Sequence, residues 1–148
     1  MAYGQTILTI AAVILFSIHA MTAHRLYNMA VERSVETQEL TEAIDFGRAL
    51  NDRVQAYSLR YWTLMEPPEQ GGLYGLNDPS DPNGRLEFHG GSGQVFYATV
   101  EIGNQEELMF KQEGRMVTVR VFKPNGNNLD ILTTYTTAVI DARRRNLD

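Results

Sequence analysis

The sequence predicts an α+β fold in which one long N-terminal helix packs on a small antiparallel sheet of three to four strands. Before Pro67 the chain contains no proline, and between Gly4 and Gly71 its only glycine is Gly47, so residues from about 7 to 65 can form one nearly unbroken helix. After residue 94, apolar and polar side chains alternate between short turns, which is typical of consecutive β-strands.

The composition excludes several classes of function. The 148 residues carry 13 Lys and Arg against 18 Asp and Glu, a formal net charge of −5, and no cysteine. A net acidic chain lacks the basic face that a nucleic-acid partner normally requires, so no nucleic-acid partner is expected. The absence of cysteine excludes disulfides, thiolate zinc sites and cysteine nucleophiles.

The first part of the helix is apolar enough to cross a membrane. From Ile7 to Met21 the sequence has twelve apolar residues in fifteen and no formal charge. With its uncharged flanks the segment reaches about 18 residues, or on the order of 27 Å of helix, which matches the hydrocarbon core of a bilayer. The candidate residues for this apolar surface are Ile7, Leu8, Ile10, Ala11, Ala12, Val13, Ile14, Leu15, Phe16 and Ile18.

Three interpretations of this segment compete: a cleaved secretory signal, a one-pass anchor, and an anchor that later forms the core of an oligomer. A secretory signal is disfavoured because residues 1–6 lack Lys and Arg, and a cut after Ala20 or Ala23 would place Ile18 or Met21 at the −3 position. The third interpretation is favoured because the apolar helix continues without a break into an amphipathic one. A helix this long without caps is typical of a coiled coil, a membrane span or both.

The second part of the helix carries an apolar seam. Apolar residues recur there at alternating steps of four and three, which predicts a face that needs a partner surface. We expect this face to cover the sheet. The seam consists of Leu40, Ala43, Gly47, Leu50, Val54, Tyr57, Tyr61 and Leu64.

The chain therefore divides into an apolar helix (1–24), its amphipathic continuation (25–65), a loop (66–93) and a sheet head (94–148) completed by helix residues 40–64. Strands are expected at residues 95–102, 116–123 and 129–139, with a short additional strand at 108–112. Prolines, glycines and Asn-Gly in the loop indicate turns. The same loop chemistry explains Asp78, Asp81 and Asn83 better than a loose calcium site does.

Side-chain alternation also assigns the faces of the strands. In the second expected strand, Thr118, Arg120 and Phe122 lie on the face opposite the valines.

No motif predicts an enzyme or a bound cofactor. Residues 90–94 read Gly-Gly-Ser-Gly-Gln and miss the serine-hydrolase elbow, because Gln94 replaces the final glycine. No phosphate-binding loop is present. His19, His24 and His89 are widely separated and predict no zinc site. We therefore expect no catalytic residue, metal or cofactor.

The order of these parts resembles the type IV pilins and pseudopilins. Residues 4–15, Gly-Gln-Thr-Ile-Leu-Thr-Ile-Ala-Ala-Val-Ile-Leu, look like a prepilin processing region, with Gly4 as the last leader residue and Gln5 as the first mature one. Thr9 stands where the family usually has a glutamate, and the leader lacks the usual Lys or Arg.

The resemblance implies a structural subunit of a helical extracellular filament. Subunits would wait in the inner membrane and then bundle the ten apolar residues in the filament core, with an assembly machinery as partner. The sheet heads would lie outside and present Thr133, Thr134, Thr136 and Thr137. Without the usual glutamate, register would rest on apolar packing and on Thr9, Ser17 and His19, the last through a hydrogen bond between helices. The alternative is a single-pass envelope protein or a minor pseudopilin of a secretion system.

Overall fold

The computed structural model describes residues 2–108 and 112–142 and has the predicted α+β architecture. Helix α1 spans Ala2–Ala56, a 3-10 helix follows at Tyr57–Met65, and a second short one lies at Pro68–Gln70. Four strands form one antiparallel sheet in the order β1-β2-β3-β4. They are β1 Leu86–His89, β2 Val95–Glu107, β3 Glu113–Asn125 and β4 Asn128–Ile140.

The helix reaches Met65 as predicted, but its last nine residues are 3-10 rather than α-helical. Tightening of the last turns into 3-10 geometry is common at helix ends. Arg60 has non-helical backbone angles (φ −131°, ψ 49°), and this break lies between Tyr57 and Tyr61, which both stay buried. Pro67 then follows, and it cannot donate a backbone hydrogen bond to continue the helix.

The three main predicted strands are present, and each is longer than expected. The turn between β3 and β4 is a two-residue loop in which Gly126 has φ +60°, a conformation that glycine adopts without strain. The predicted strand at 108–112 is wrong at both ends, since Leu108 and Gln112 are outside strands, while residues 109–111 lie outside the described ones. The sheet instead gains β1, in a segment expected to be loop.

Two compact units divide the chain, residues 1–38 and residues 39–148. From residue 39 onward the amphipathic part of the helix belongs to the same unit as the sheet, and this part includes the helix residues 40–64 that were expected to complete the head. In the second unit, side chains from the helix meet the inner face of the strands. The core of that unit includes Val54, Leu64, Phe96, Ala98, Val100, Val117, Val119, Val121 and Val139.

Candidate functional site

The first candidate site is the exposed surface of helix residues 3–38. Every side chain in this range is exposed, including those of the ten predicted apolar residues. Phe16 is 76% exposed and Leu8 is 74% exposed. Burying each such side chain is favourable by roughly 1.5–3 kcal/mol, so burial of this segment in lipid or against another helix is strongly favoured.

The polar side chains of the apolar segment bond to the backbone of their own helix. Thr9 Oγ1 donates to the Gln5 carbonyl at 2.9 Å and Ser17 Oγ to the Val13 carbonyl at 2.8 Å. These bonds close four residues back along the helix, a common way to satisfy Ser and Thr within it. Thr22 makes the equivalent bond to Ile18.

His19 follows the same pattern. Its Nδ1 lies 2.9 Å from the Leu15 carbonyl, a bond in which Nδ1 carries the proton and donates. The expected hydrogen bond between helices is therefore not required to satisfy Nδ1. In that tautomer Nε2 remains an acceptor, and any bond to a second helix has to use that atom.

The helix is long and apolar enough to cross a membrane, by length and composition. A signal sequence near an N-terminus passes the same test. The possible processing residues Gly4 and Gln5 lie within α1, where the exposed Gly4 has no atom within 4 Å of an added Cβ. Both residues are therefore sterically accessible within the described chain.

The second candidate site is the face of the helix that packs on the sheet. Seven of the eight predicted seam residues are buried: Ala43, Gly47, Leu50, Val54, Tyr57, Tyr61 and Leu64. Leu40 is the exception, because its side chain is 44% exposed. Its neighbour Glu39 pairs with Lys123, so the cover at this end of the head is polar rather than apolar.

Gly47 marks the closest approach between helix and sheet. A Cβ added there would lie 2.7 Å from Tyr135 Cε2 and 3.1 Å from Val121 Cγ2. The Tyr135 hydroxyl donates to the Ile44 carbonyl at 3.2 Å, which ties this ring to the helix backbone. The glycine is therefore required by space, although sequence spacing alone placed it on the seam.

Two of the four threonines expected outside the head lie on the inner alternation of β4. Thr133 and Thr137 are partly buried and share this side with Tyr135 and Val139. A Cβ added at Gly47 would lie 3.2 Å from Thr133 Cγ2, so this threonine lies against the helix. Thr134 and Thr136 are exposed as expected.

Phe122 lies on the face of β3 opposite the valines, as predicted. It is buried, although Thr118 and Arg120 on the same alternation are only partly covered. Phe122 lies opposite Tyr97, and the Arg85 guanidinium stacks 3.5 Å from the centroid of the Tyr97 ring. Tyr97 is thus the cross-strand neighbour of Phe122, and aromatic residues on adjacent strands stabilise a sheet.

Sequence reasoning missed the loop residues that complete the core. Leu73 and Leu76 are buried. The Leu73 amide donates to the Leu64 carbonyl, and the Val100 amide donates to the Leu76 carbonyl, so this loop binds both the 3-10 helix and β2. An isolated leucine among glycines and prolines has no periodicity, and only its apolar character could have suggested burial.

Phe46 was also missed, because it lies beside the seam rather than on it. Its ring stacks on that of Phe88 with centroids 4.7 Å apart, and Phe88 in turn lies 6.2 Å from Phe96. The signal available in the sequence was the aromatic character of Phe46 next to Gly47. These stacked rings connect the helix to β1, the strand that the sequence did not predict.

Polar groups at the far end of the head concentrate around Tyr61. Burial raises the pKa of its hydroxyl, and the Arg115 guanidinium opposes that shift. Neither the hydroxyl nor Arg115 Nε meets hydrogen-bond geometry with a partner in the described chain. Another guanidinium nitrogen of Arg115 donates to the Gly103 carbonyl at 2.9 Å, which holds the charge at the bulge of β2.

In the loop expected to contain turns, both aspartates accept backbone hydrogen bonds. Asp78 Oδ1 accepts from Ser80 and Asp81 Oδ1 from Asn83. No group of three or more metal-ligating side chains is found among residues 2–108 and 112–142.

Comparison with protein-family models, with curated proteins and with solved structures finds no match to this chain.

Proposed function

We propose that this chain is a structural subunit of a helical extracellular filament similar to a type IV pilus. One observation carries the proposal: a helix with all its side chains exposed over residues 3–38, most of them apolar in the first half, is joined to a head with its own core. Lipid covers such a surface before assembly, and identical helices cover it afterwards. An open-ended helical array covers the apolar helix of every copy in the same way.

Packing against identical helices needs close approach. Ala11, Ala12 and Ala20 place small side chains along the exposed apolar segment, and small residues favour helix contacts in apolar surroundings. The partners implied are further copies of this chain, the inner membrane before assembly and an assembly machinery. The final location is the cell surface.

The alternative is a single-pass envelope protein or a minor pseudopilin. The observation that favours it is the internal bonding of Thr9, Ser17, His19 and Thr22, which makes the helix complete in lipid without a second copy. Under this alternative the chain stays in the membrane at low copy number, and its head binds a partner.

The test substitutes Ala12→Arg and uses Ala49→Arg, at an exposed site in the head, as the matched control. A charge within a packed apolar bundle has no counterion, so we expect Ala12→Arg to abolish filaments seen by negative-stain microscopy, while Ala49→Arg leaves them intact. Filaments formed by Ala12→Arg would contradict the packing model.

Wild-type protein that gives only monodisperse micelles would favour the alternative. Under that alternative Ala12→Arg mainly reduces membrane retention. N-terminal sequencing of the mature protein separates a chain processed after Gly4 from an intact anchor and from a cleaved export signal.

A further inference from the structure

The two edges of the sheet differ in how well they are protected against pairing with a further strand. On one side, β1 is only four residues long and carries Glu87 and His89 on its exposed positions. Beyond β1, the free part of β2 has a register shift after Ile102 and exposed glutamates, and the Leu76 carbonyl accepts from its Val100 amide. Short strands, bulges and charges restrict edge pairing, so on this side only the four residues of β1 remain available to a further strand among the described residues.

The opposite edge is formed by β4, and its residues 133–140 lack these protections. Residues 133–140 read Thr-Thr-Tyr-Thr-Thr-Ala-Val-Ile and contain no charge, proline or glycine. They pair in regular register with β3, from Val121↔Thr133 to Gly114↔Ile140. Among the residues described, no backbone hydrogen bond reaches the outer side of this strand.

An edge of this kind exposes alternate backbone N–H and C=O groups along eight consecutive residues. The β-branched residues there favour an extended strand and an ordered template. Along β4 itself, the nearest charges are Asp130, before the bulge at Leu132, and Asp141, after the end of the strand. An edge left open for this length is suited to pairing with another strand.

We propose that β4 pairs with β1 of a second copy, so that the heads join into one sheet continuing from copy to copy. This inference rests on the proposed filament. Because every neighbouring pair in the order β1-β2-β3-β4 is antiparallel, β1 of an equally oriented copy runs antiparallel to β4. The geometry of the pairing is therefore that of the existing ladders.

A two-fold pairing of β4 with β4 of another copy is disfavoured. Its axis would stand perpendicular to the sheet, so the packed helix segments 39–56 of the two copies would run in opposite directions. Copies anchored by their N-termini in one membrane enter the assembly from the same side. Pairing of unlike edges keeps one orientation and leaves an edge free at each end, as an open-ended filament requires.

The inference also assigns the face of each contact. Glu87 lies opposite Tyr97, which lies opposite Phe122, which lies opposite Ile131, so Glu87 and Ile131 share the sheet face away from the helix. Thr134, Thr136 and Ala138 belong to the same face and are exposed. Antiparallel neighbours must match face to face, so these residues are the partners available to Glu87.

Cysteine pairs provide the test, because the chain has no cysteine of its own. Full-length Glu87→Cys is combined in turn with Ile131→Cys, Thr134→Cys, Thr136→Cys or Ala138→Cys, and assembled filaments are oxidised mildly. Opposed residues on adjacent antiparallel strands have Cβ atoms about 4.5–5.5 Å apart, close enough for a disulfide after a small adjustment.

We expect at least one pair to convert subunits into a ladder of dimers, trimers and longer chains on non-reducing gels, which either single-cysteine variant does not give. The pair that reacts also reports the axial offset between neighbours, about 7 Å for each two-residue step. Dimers from Thr136→Cys alone would instead indicate β4–β4 pairing and overturn the proposal.

Filaments that form from all four double variants without any ladder would also overturn it, while the proposed filament function would stand. If wild-type protein forms no filaments, that function fails. The same oxidation is then applied to the protein in its membrane, where a ladder supports the strand pairing and its absence overturns it.

Discussion

At the scale of single residues, Gly47 is where the helix and the sheet approach most closely. An added methyl group at this position meets Tyr135, Val121 and Thr133 within 2.7–3.2 Å. We expect Gly47→Ala to lower the free energy of unfolding of the head by about 1–3 kcal/mol, because the core is overpacked. Denaturant unfolding of the detergent-solubilised chain, followed by near-ultraviolet circular dichroism, measures the change.

Ala49→Gly is the matched control for Gly47→Ala, since Ala49 is exposed on the same helix. Glycine in a helix interior costs about 0.5–1 kcal/mol relative to alanine, so the control should lose that amount. By propensity alone, Gly47→Ala would gain the same amount. A stabilised Gly47→Ala variant would therefore show that the close approach is wrong.

Ionisation of Tyr61 makes the stability of the head depend on pH in the alkaline range. Burial raises the pKa of its hydroxyl above the ordinary value of 10.0, against the opposing charge of Arg115. Above about pH 10 the unfolded chain releases this proton while the folded chain retains it, so the stability that the neutral hydroxyl permits is lost as pH rises through the folded pKa.

We expect Tyr61→Phe to unfold with a flatter dependence on pH than the wild type between about pH 9 and 11. Denaturant midpoints measured across this range provide the comparison. Tyr74→Phe is the control, because that ring is exposed. Equal slopes for wild type and Tyr61→Phe would mean that Tyr61 ionises as freely in the folded head as in the unfolded chain.

At the scale of elements, the segment between the 3-10 helices and β1 is part of the core. We expect Leu73→Ala and Leu76→Ala each to destabilise the head by about 2–5 kcal/mol, because both side chains are almost completely buried. Tyr74→Ala, at an exposed position between them, should change stability by less than about 0.5 kcal/mol. Thermal unfolding of the three variants tests the difference, and equal effects would contradict it.

The sequence predicted the elements that have a strong period. The seam from Ala43 to Leu64 and the alternation in β2, β3 and β4 repeat over several turns or residues, and burial follows them. The four residues of β1 are too few to show a period, and they follow a segment rich in Gly and Pro. They become a strand because Phe88 stacks between Phe46 and Phe96, a tertiary contact that local sequence does not encode.

The exposure of residues at the edge of the head was harder to predict than the burial of residues in its core. Leu40 fits the period of the seam, but the period does not say where the supporting surface ends. Likewise, Thr133 and Thr137 resemble surface residues by composition, while the alternation set by Val139 places them toward the helix. For the apolar segment the sequence could supply the candidate residues but not their neighbours.

At the scale of the whole molecule, the head contains its own core. All the residues of the buried cluster lie between Ala43 and Val139, within the unit of residues 39–148. We expect a fragment of residues 39–148 to fold as a soluble monomer with cooperative unfolding, whereas the full chain requires detergent or lipid. Light scattering and thermal circular dichroism of both proteins check this, and an aggregated or non-cooperative fragment would contradict it.

The hydrogen bonds that Thr9, Ser17, His19 and Thr22 return to their own backbone have a consequence for movement. A helix that leaves a bilayer normally has to exchange polar contacts with its surroundings, and each exchange adds to the activation barrier. Here the polar atoms travel with the helix, already bonded. In the proposed filament, extraction and re-insertion therefore exchange one apolar environment for another, so assembly is reversible and the number of available copies sets its direction.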